Sequence, residues 1–259
     1  MSWAVRRRLL YILGIVAFFG IVLGGPLAYK YFTIPPTCTD GTQNQGETAP
    51  DRGGPCPFVD ERALSLIGTL WARGFRVRDG SYNAVAYVQN SNMQAGVRSV
   101  HYQFRLYDSE NVLVAEREGS TFIMPGGITP VFEGGISTGN RIAARTFFDF
   151  TDALKWERLY PAADAISVTN MALTDTATSP RITANITNTS VAPVQDLSVS
   201  VVVFDTAGNA FTASETSVSR LSAGEMTKIM FTWPDPFPLV VGRVDITPVL
   251  APTATPRAQ

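Results

Sequence analysis

The sequence predicts an all-β protein, two tandem β-sandwiches behind a single N-terminal transmembrane helix, and three observations carry that expectation. An uncharged run occupies Leu9 to Tyr29. From about Phe58 onward, short alternations of apolar and polar residues bounded by turn formers take over, the pattern of half-buried antiparallel strands. The alternating region then repeats itself at a spacing of about one hundred residues, the size of one sandwich.

Composition narrows the function classes. The chain has 259 residues, 45% hydrophobic and 17% charged, with a formal net charge of -1 and one histidine. Its length suits one large domain or two of ordinary size. A near-neutral balance lacks the clustered basic excess of a nucleic-acid binder, so no nucleic-acid partner is expected. A single histidine, His101, excludes sites that need two histidines on one metal.

The apolar run LLYILGIVAFFGIVLGGPLAY covers 21 residues. At about 1.5 Å per residue it spans the roughly 30 Å of a bilayer core, so residues 9–29 are expected to meet lipid. Arg6, Arg7 and Arg8 crowd its front edge and only Lys30 follows it closely, a bias that puts the N-terminus in the cytoplasm. Trp3 and Tyr11 on one side, and Tyr29, Tyr31 and Phe32 on the other, suit the interfacial belts. Residues 1–32 therefore read as a cytoplasmic stub and membrane helix. A cleaved signal peptide is the competing reading; the run is longer than the usual apolar region, and Gly24-Gly25-Pro26-Leu27-Ala28 supplies no clean small-x-small cleavage site. Both readings export the remainder.

Residues 33–57, rich in Pro, Gly, Thr and acidic side chains, read as a linker. Both cysteines of the chain, Cys38 and Cys56, lie in it, and an oxidising compartment makes their pairing the simplest expectation. Asp40, Asn44, Glu47 and Asp51, interleaved with glycines, offer the hard oxygen ligands of a calcium loop. A solvated linker without metal is the alternative. The segment resembles the short extracellular motif C-x-D-G-x-x-N-x-x-E-x-x-x-D-C-G-G-x-C, with Arg52 standing where that motif has its penultimate cysteine.

Beyond the linker, Tyr102, Phe104 and Leu106 alternate with His101, Gln103 and Arg105, as do Leu197, Val199, Val201 and Val203 with their neighbours. Asn90 aligns with Asn188, Asp108 with Asp205, and Pro125-Gly126 with Ala223-Gly224. The repeat length suits immunoglobulin-like sandwiches, at 58–160 and 161–249, each expected to fold alone, with a disordered tail at 250–259. Strands are expected near 66–78, 82–90, 97–107, 111–119, 128–136 and 143–150, then 165–173, 181–188, 194–204, 209–218, 225–232 and 239–248. Phe104-Arg105-Leu106-Tyr107-Asp108 resembles the signature of the FxLYD domain family; Val202-Val203-Phe204-Asp205 retains its apolar strand ending in aspartate. The resemblance implies extracytoplasmic β-sandwich modules, often anchored in bacterial membranes. The aspartates read as turn caps and the asparagines as strand ends suited to a left-handed turn.

No phosphate-binding glycine loop or C-x-x-C pair occurs. His101 shares a strand face with Gln103 and Arg105, a rim position. Trp233-Pro234-Asp235-Pro236-Phe237-Pro238 reads as a loop packed on a sandwich end, with an exposed aromatic platform for glycan or peptide as the alternative. The combined expectation is a single-pass protein of a bacterial cell envelope, its C-terminal domains extracytoplasmic, which binds or scaffolds an envelope protein or glycan and is not an enzyme. A calcium-dependent adhesion or sensing module and an accessory subunit of a secretion or pilus complex are the alternatives.

Overall fold

The structure, a computed structural model, describes residues 3–33 and 37–254. The expected interfacial side chains of Tyr31 and Phe32, and the end of the expected tail at 255–259, lie outside the described residues. The chain divides into two compact units, Met1–Pro57 and Phe58–Gln259.

In the first unit, helix α1 runs Trp3–Thr33, 31 residues, and so extends past the uncharged run at both ends. It is long and apolar enough to cross a membrane. Large apolar side chains are exposed around it, Leu10 at 63% and Ile21 at 72%, and a helix apolar on every side needs apolar surroundings. Pro26 sits inside the helix, where it cannot donate to the Val22 carbonyl, a loss that membrane helices tolerate.

The second unit is built from antiparallel strands: β1 (Gly68–Arg78), β2 (Ser81–Asn90), β3 (Ala95–Tyr107), β4 (Leu113–Ile123), β5 (Gly127–Ser137), β6 (Arg145–Phe150) and β7 (Trp156–Arg158). The second repeat supplies β8 (Ile166–Thr174), β9 (Arg181–Asn188), β10 (Val194–Asp205), β11 (Ala210–Leu221), β12 (Met226–Thr232) and β13 (Val241–Val249). Every expected strand is present. The addition is β7, three residues that pair with Ala95–Val97 of β3 and are too few to show a period in sequence. The β1–β2 hairpin turns at Asp79-Gly80. Gly80 has φ +70°, and a Cβ there would lie 2.5 Å from the Gly139 carbonyl oxygen, so glycine is required.

Four sheets form, ordered β1-β2-β5, β4-β3-β6 with β7 on β3, β12-β9-β8 and β11-β10-β13. The first two enclose a core of Tyr82, Ala84, Ala86 and Val88 from β2 with Tyr102, Phe104 and Leu106 from β3. The small alanines share that core with tilted and edge-on rings, the Phe104 and Phe148 centroids lying 5.0 Å apart. In the other pair, Ile182, Ala184 and Ile186 of β9 meet Leu197, Val199, Val201 and Val203 of β10.

A third cluster joins the two sandwiches. Phe75 of β1 and Val85 and Tyr87 of β2 pack with Val202 and Phe204 of β10 and Ala210 and Ala213 of β11. The rings of Trp71 and Tyr87 lie 4.4 Å apart, and both meet Phe204. Arg243 covers the Phe204 ring at 4.1 Å. Asn83 donates to the Ala213 carbonyl at 3.1 Å. Burial raises the Tyr87 phenol above its ordinary range, with Asp245 adding to the shift and Arg243 opposing it. The halves are therefore one four-layered body, and a separated half would expose the aromatic face that the other covers.

The expected tail begins later than position 250. Leu250 is 7% exposed and belongs to the second core, and Thr253 pairs with Tyr160. Packing at the foot of the sandwich outweighs the Pro/Thr composition there.

Core and seam substitutions are expected to separate cleanly by denaturant unfolding of the full chain. Phe104→Ala should cost about 3–5 kcal/mol. Val202→Asp, which leaves an unpaired charge in the contact between sandwiches, should cost about 3–5 kcal/mol and split the transition in two. His101→Ala, on the solvent face, should stay within about 0.5 kcal/mol.

Candidate functional site

The repeated polar residues hold the fold. In the first repeat, buried Asn90 donates to the carbonyls of Ala95 at 2.7 Å and Met124 at 2.9 Å, while its Oδ1 accepts from the Asn92 amide. In the second, Asn188 donates to Ala192 at 2.8 Å and Leu221 at 3.0 Å and accepts from Ser190. Neither adopts the expected left-handed conformation; a buried amide satisfied on both sides ties three segments together. Asp108 Oδ1 accepts the amides of Glu110 and Val112, and Asp205 Oδ1 those of Ala207 and Asn209. These are the expected turn caps. The left-handed positions fall one step before the turns close, at Asn111 and Gly208.

Cys38 and Cys56 are joined by a disulfide. Inside its loop the acidic side chains serve the loop's own donors. Asp40 Oδ1 accepts the Thr42 amide and hydroxyl at 2.9 and 2.5 Å, and its Oδ2 the Thr37 hydroxyl and Asn44 amide at 2.5 and 3.0 Å. Asp51 accepts the backbone amides of Asp40 and Gly41, both at 2.9 Å. Glu47, 6% exposed, accepts the amides of Asn44 and Asp51 on Oε2. Its Oε1 lies 3.0 Å from Cys56 Sγ, a contact with a sulfur that carries no proton. Asp40, Asn44, Glu47 and Asp51 are thus brought into one loop. Their carboxylates do not converge as a metal trio, and the cluster that does, Cys38 with Glu47 and Cys56, has two members spent in the disulfide. The Thr37 hydroxyl first, then Thr42 and Asn44, hold the Asp40 carboxyl well below the usual carboxylate range.

His101 is exposed, its Nδ1 2.5 Å from Asp152 Oδ2, as the strand alternation predicts. Trp233 is 7% exposed and packs on Phe237, which packs in turn on Phe211. The amides of Trp233 and Phe237 donate to the carbonyls of Pro180 and Thr176. The proline-rich loop therefore seals a sandwich end, and the aromatic-platform alternative fails because the rings point inward.

A cavity of about 430 Å³ lies beside His101, lined by Glu118 and Thr151, and a longer concave surface lies along β1. Three cavities of about 580, 730 and 300 Å³ adjoin one another, each with Arg76 in its wall. Arg73, Arg145, Phe147 and Phe211 line the first, Arg78 and Pro236 the second, and Arg141 the third. Arg73 donates to the Ala210 carbonyl at 2.9 Å, Arg76 pairs with Asp79, and Arg141 pairs with Asp108 at 2.5 Å. Arg78 and Arg145 have no side-chain partner among the described residues. In sequence, Arg73, Arg76 and Arg78 pass as ordinary strand positions; their spacing on both faces of one edge strand was the available signal.

No family model and no curated protein matches this sequence. Among solved structures, it is similar to red sea bream transglutaminase, at 8% identity and TM-score 0.23, over 73% of this chain and 32% of that one. It is also similar to a β-glucuronidase of Bacteroides uniformis, at 14% identity and TM-score 0.21, over 68% of this chain and 22% of that one. Likenesses this slight, spanning a third or less of the larger proteins, carry no inference about chemistry.

The loop's electrostatics have a definite sign. Because the folded Asp40 value is depressed, its contribution is fully present above the unfolded carboxylate range, near about 4, and is lost only as pH falls through the lower folded value. The Asp40 carboxyl ¹³C shift should hold constant from pH 7 to about 4 and titrate below that range. Thr37→Ala should move the midpoint upward. Millimolar calcium should leave the shift unchanged.

Proposed function

We propose that this chain is a single-pass protein of a bacterial cell envelope that binds or scaffolds a partner outside the cell membrane. The observation that carries the reading is the Cys38–Cys56 disulfide, which closes five residues after helix α1 ends at Thr33. Such bonds persist in oxidising compartments, so the segment after the helix belongs outside. The arginines at Arg6 to Arg8 favour the cytoplasm for the other end by an independent rule. The resemblance of Phe104–Asp108 to the FxLYD signature agrees with an anchored extracytoplasmic module. Two sandwiches locked into one body suit presentation of a surface more than closure around a substrate.

Thiol labelling in spheroplasts tests the topology. A membrane-impermeant maleimide should label the protein only after reduction, at Cys38 and Cys56, and external protease should remove everything except a small anchor fragment. Labelling that requires lysis of the cells would refute the orientation.

A further inference from the structure

We propose that the groove along β1 binds an extended acidic segment of a partner polypeptide. This rests on the reading of the chain as a binding protein and names its ligand class and site.

Three features of the groove point the same way. Its shape is long, since the adjoining cavities follow β1 from Ala72 to Arg78, about 20 Å at the rise of a strand. A compact ligand would fill one cavity and leave the others to water. Its second feature is the open edge. β1 hydrogen-bonds to β2 on one side and has no ladder partner on the other, and β6 is likewise the last strand of its sheet. The two edges come close where Gly74 faces Thr146, whose hydroxyl lies 2.8 Å from the place a Cβ would occupy. β6 covers the edge at Gly74, so an extended chain can add its backbone to the stretch beyond it, toward Arg78, and alternate its side chains between the walls.

The third feature is charge. Five guanidinium groups line the walls, Arg73, Arg76, Arg78, Arg141 and Arg145; Arg76 is paired with Asp79 and Arg141 with Asp108, and Asp235 is the other carboxylate in the lining. Arg78 and Arg145 are spent on no other side chain among the described residues, and Arg73 gives one N–H to the Ala210 carbonyl and keeps others. Guanidinium forks match carboxylates two bonds at a time. Phe147, half exposed, stands among these cations with Phe211. Apolar stops between charges suit a peptide, whose side chains alternate, and are of no use to a phosphate polymer.

Edge arginines also discourage strand-to-strand aggregation, and the experiment separates that role from ligand binding. The full chain, purified in lipid nanodiscs, is titrated against a fluorescein-labelled peptide of alternating glutamate and valine. Saturable binding that weakens with salt and falls about tenfold or more in Arg78→Gln/Arg145→Gln is expected. The same peptide with glutamine for glutamate should not bind, nor should inorganic polyphosphate compete. Should the glutamine variant lose its native unfolding temperature, Arg78→Lys/Arg145→Lys, which keeps charge and removes the fork, should still weaken binding. No binding, undiminished binding by both double variants, equal binding of the glutamine peptide, or binding of polyphosphate alone would overturn the proposal. Topology is read separately by thiol labelling, so a failure here leaves that reading standing.

Discussion

The apolar contact between sheets β1-β2-β5 and β11-β10-β13 is the constraint from which the rest of the second unit follows. Each of these sheets must be apolar on both faces, one for its own sandwich and one for the other. In β2, Ala84, Ala86 and Val88 serve the core while Val85 and Tyr87 serve the contact. In β10, Val199, Val201 and Val203 face inward while Val202 and Phe204 face the other sandwich. The outer sheets carry no such demand, and the outward positions of β3 remain His101, Gln103 and Arg105.

The same constraint explains why the two repeats diverge where they do. Arg105 of the first repeat aligns with Val202 of the second, and Tyr107 with Phe204. Arg105 reaches solvent and pairs with Asp149, whereas Val202 is 1% exposed. A guanidinium at the second position would be buried without a partner, a cost of several kcal/mol, so the covered outer face of β10 carries an apolar residue there. What did not diverge is the hydrogen-bonding frame. Asn90 and Asn188, like Asp108 and Asp205, make matching bonds because each satisfies backbone groups that any sequence must satisfy.

Docking the sandwiches also creates the groove. Its walls come from β1 and the segment around β6 on one side and from Phe211 and the proline-rich loop on the other. Neither sandwich alone supplies both. The loop around Trp233, whose rings turn inward, lines the groove through Asp235, Pro236 and Pro238. Groove and structural seam thus share the residues of β1, with Phe75 turned into the contact and Arg76 out to the cavities.

By itself the sequence determined the all-β class, the membrane-length helix, the strand positions and the turn-capping role of the aspartates, because each leaves a local trace: a charge gap, a period of two, a short side chain at a turn. The continuous apolar runs of Ala84–Val88 and Val201–Phe204 belong to strands covered on both faces, but a run by itself does not say what covers it. Only the tertiary structure decided that the second cover is the other sandwich, that Asn90 and Asn188 are buried amides, and that Asp40, Glu47 and Asp51 turn oxygens to N–H and O–H groups of their own segment. A carboxylate in a glycine-rich loop reads the same whether it meets a cation or an amide. The choice depends on which donors the folded chain brings within about 3 Å, and sequence spacing does not encode that distance.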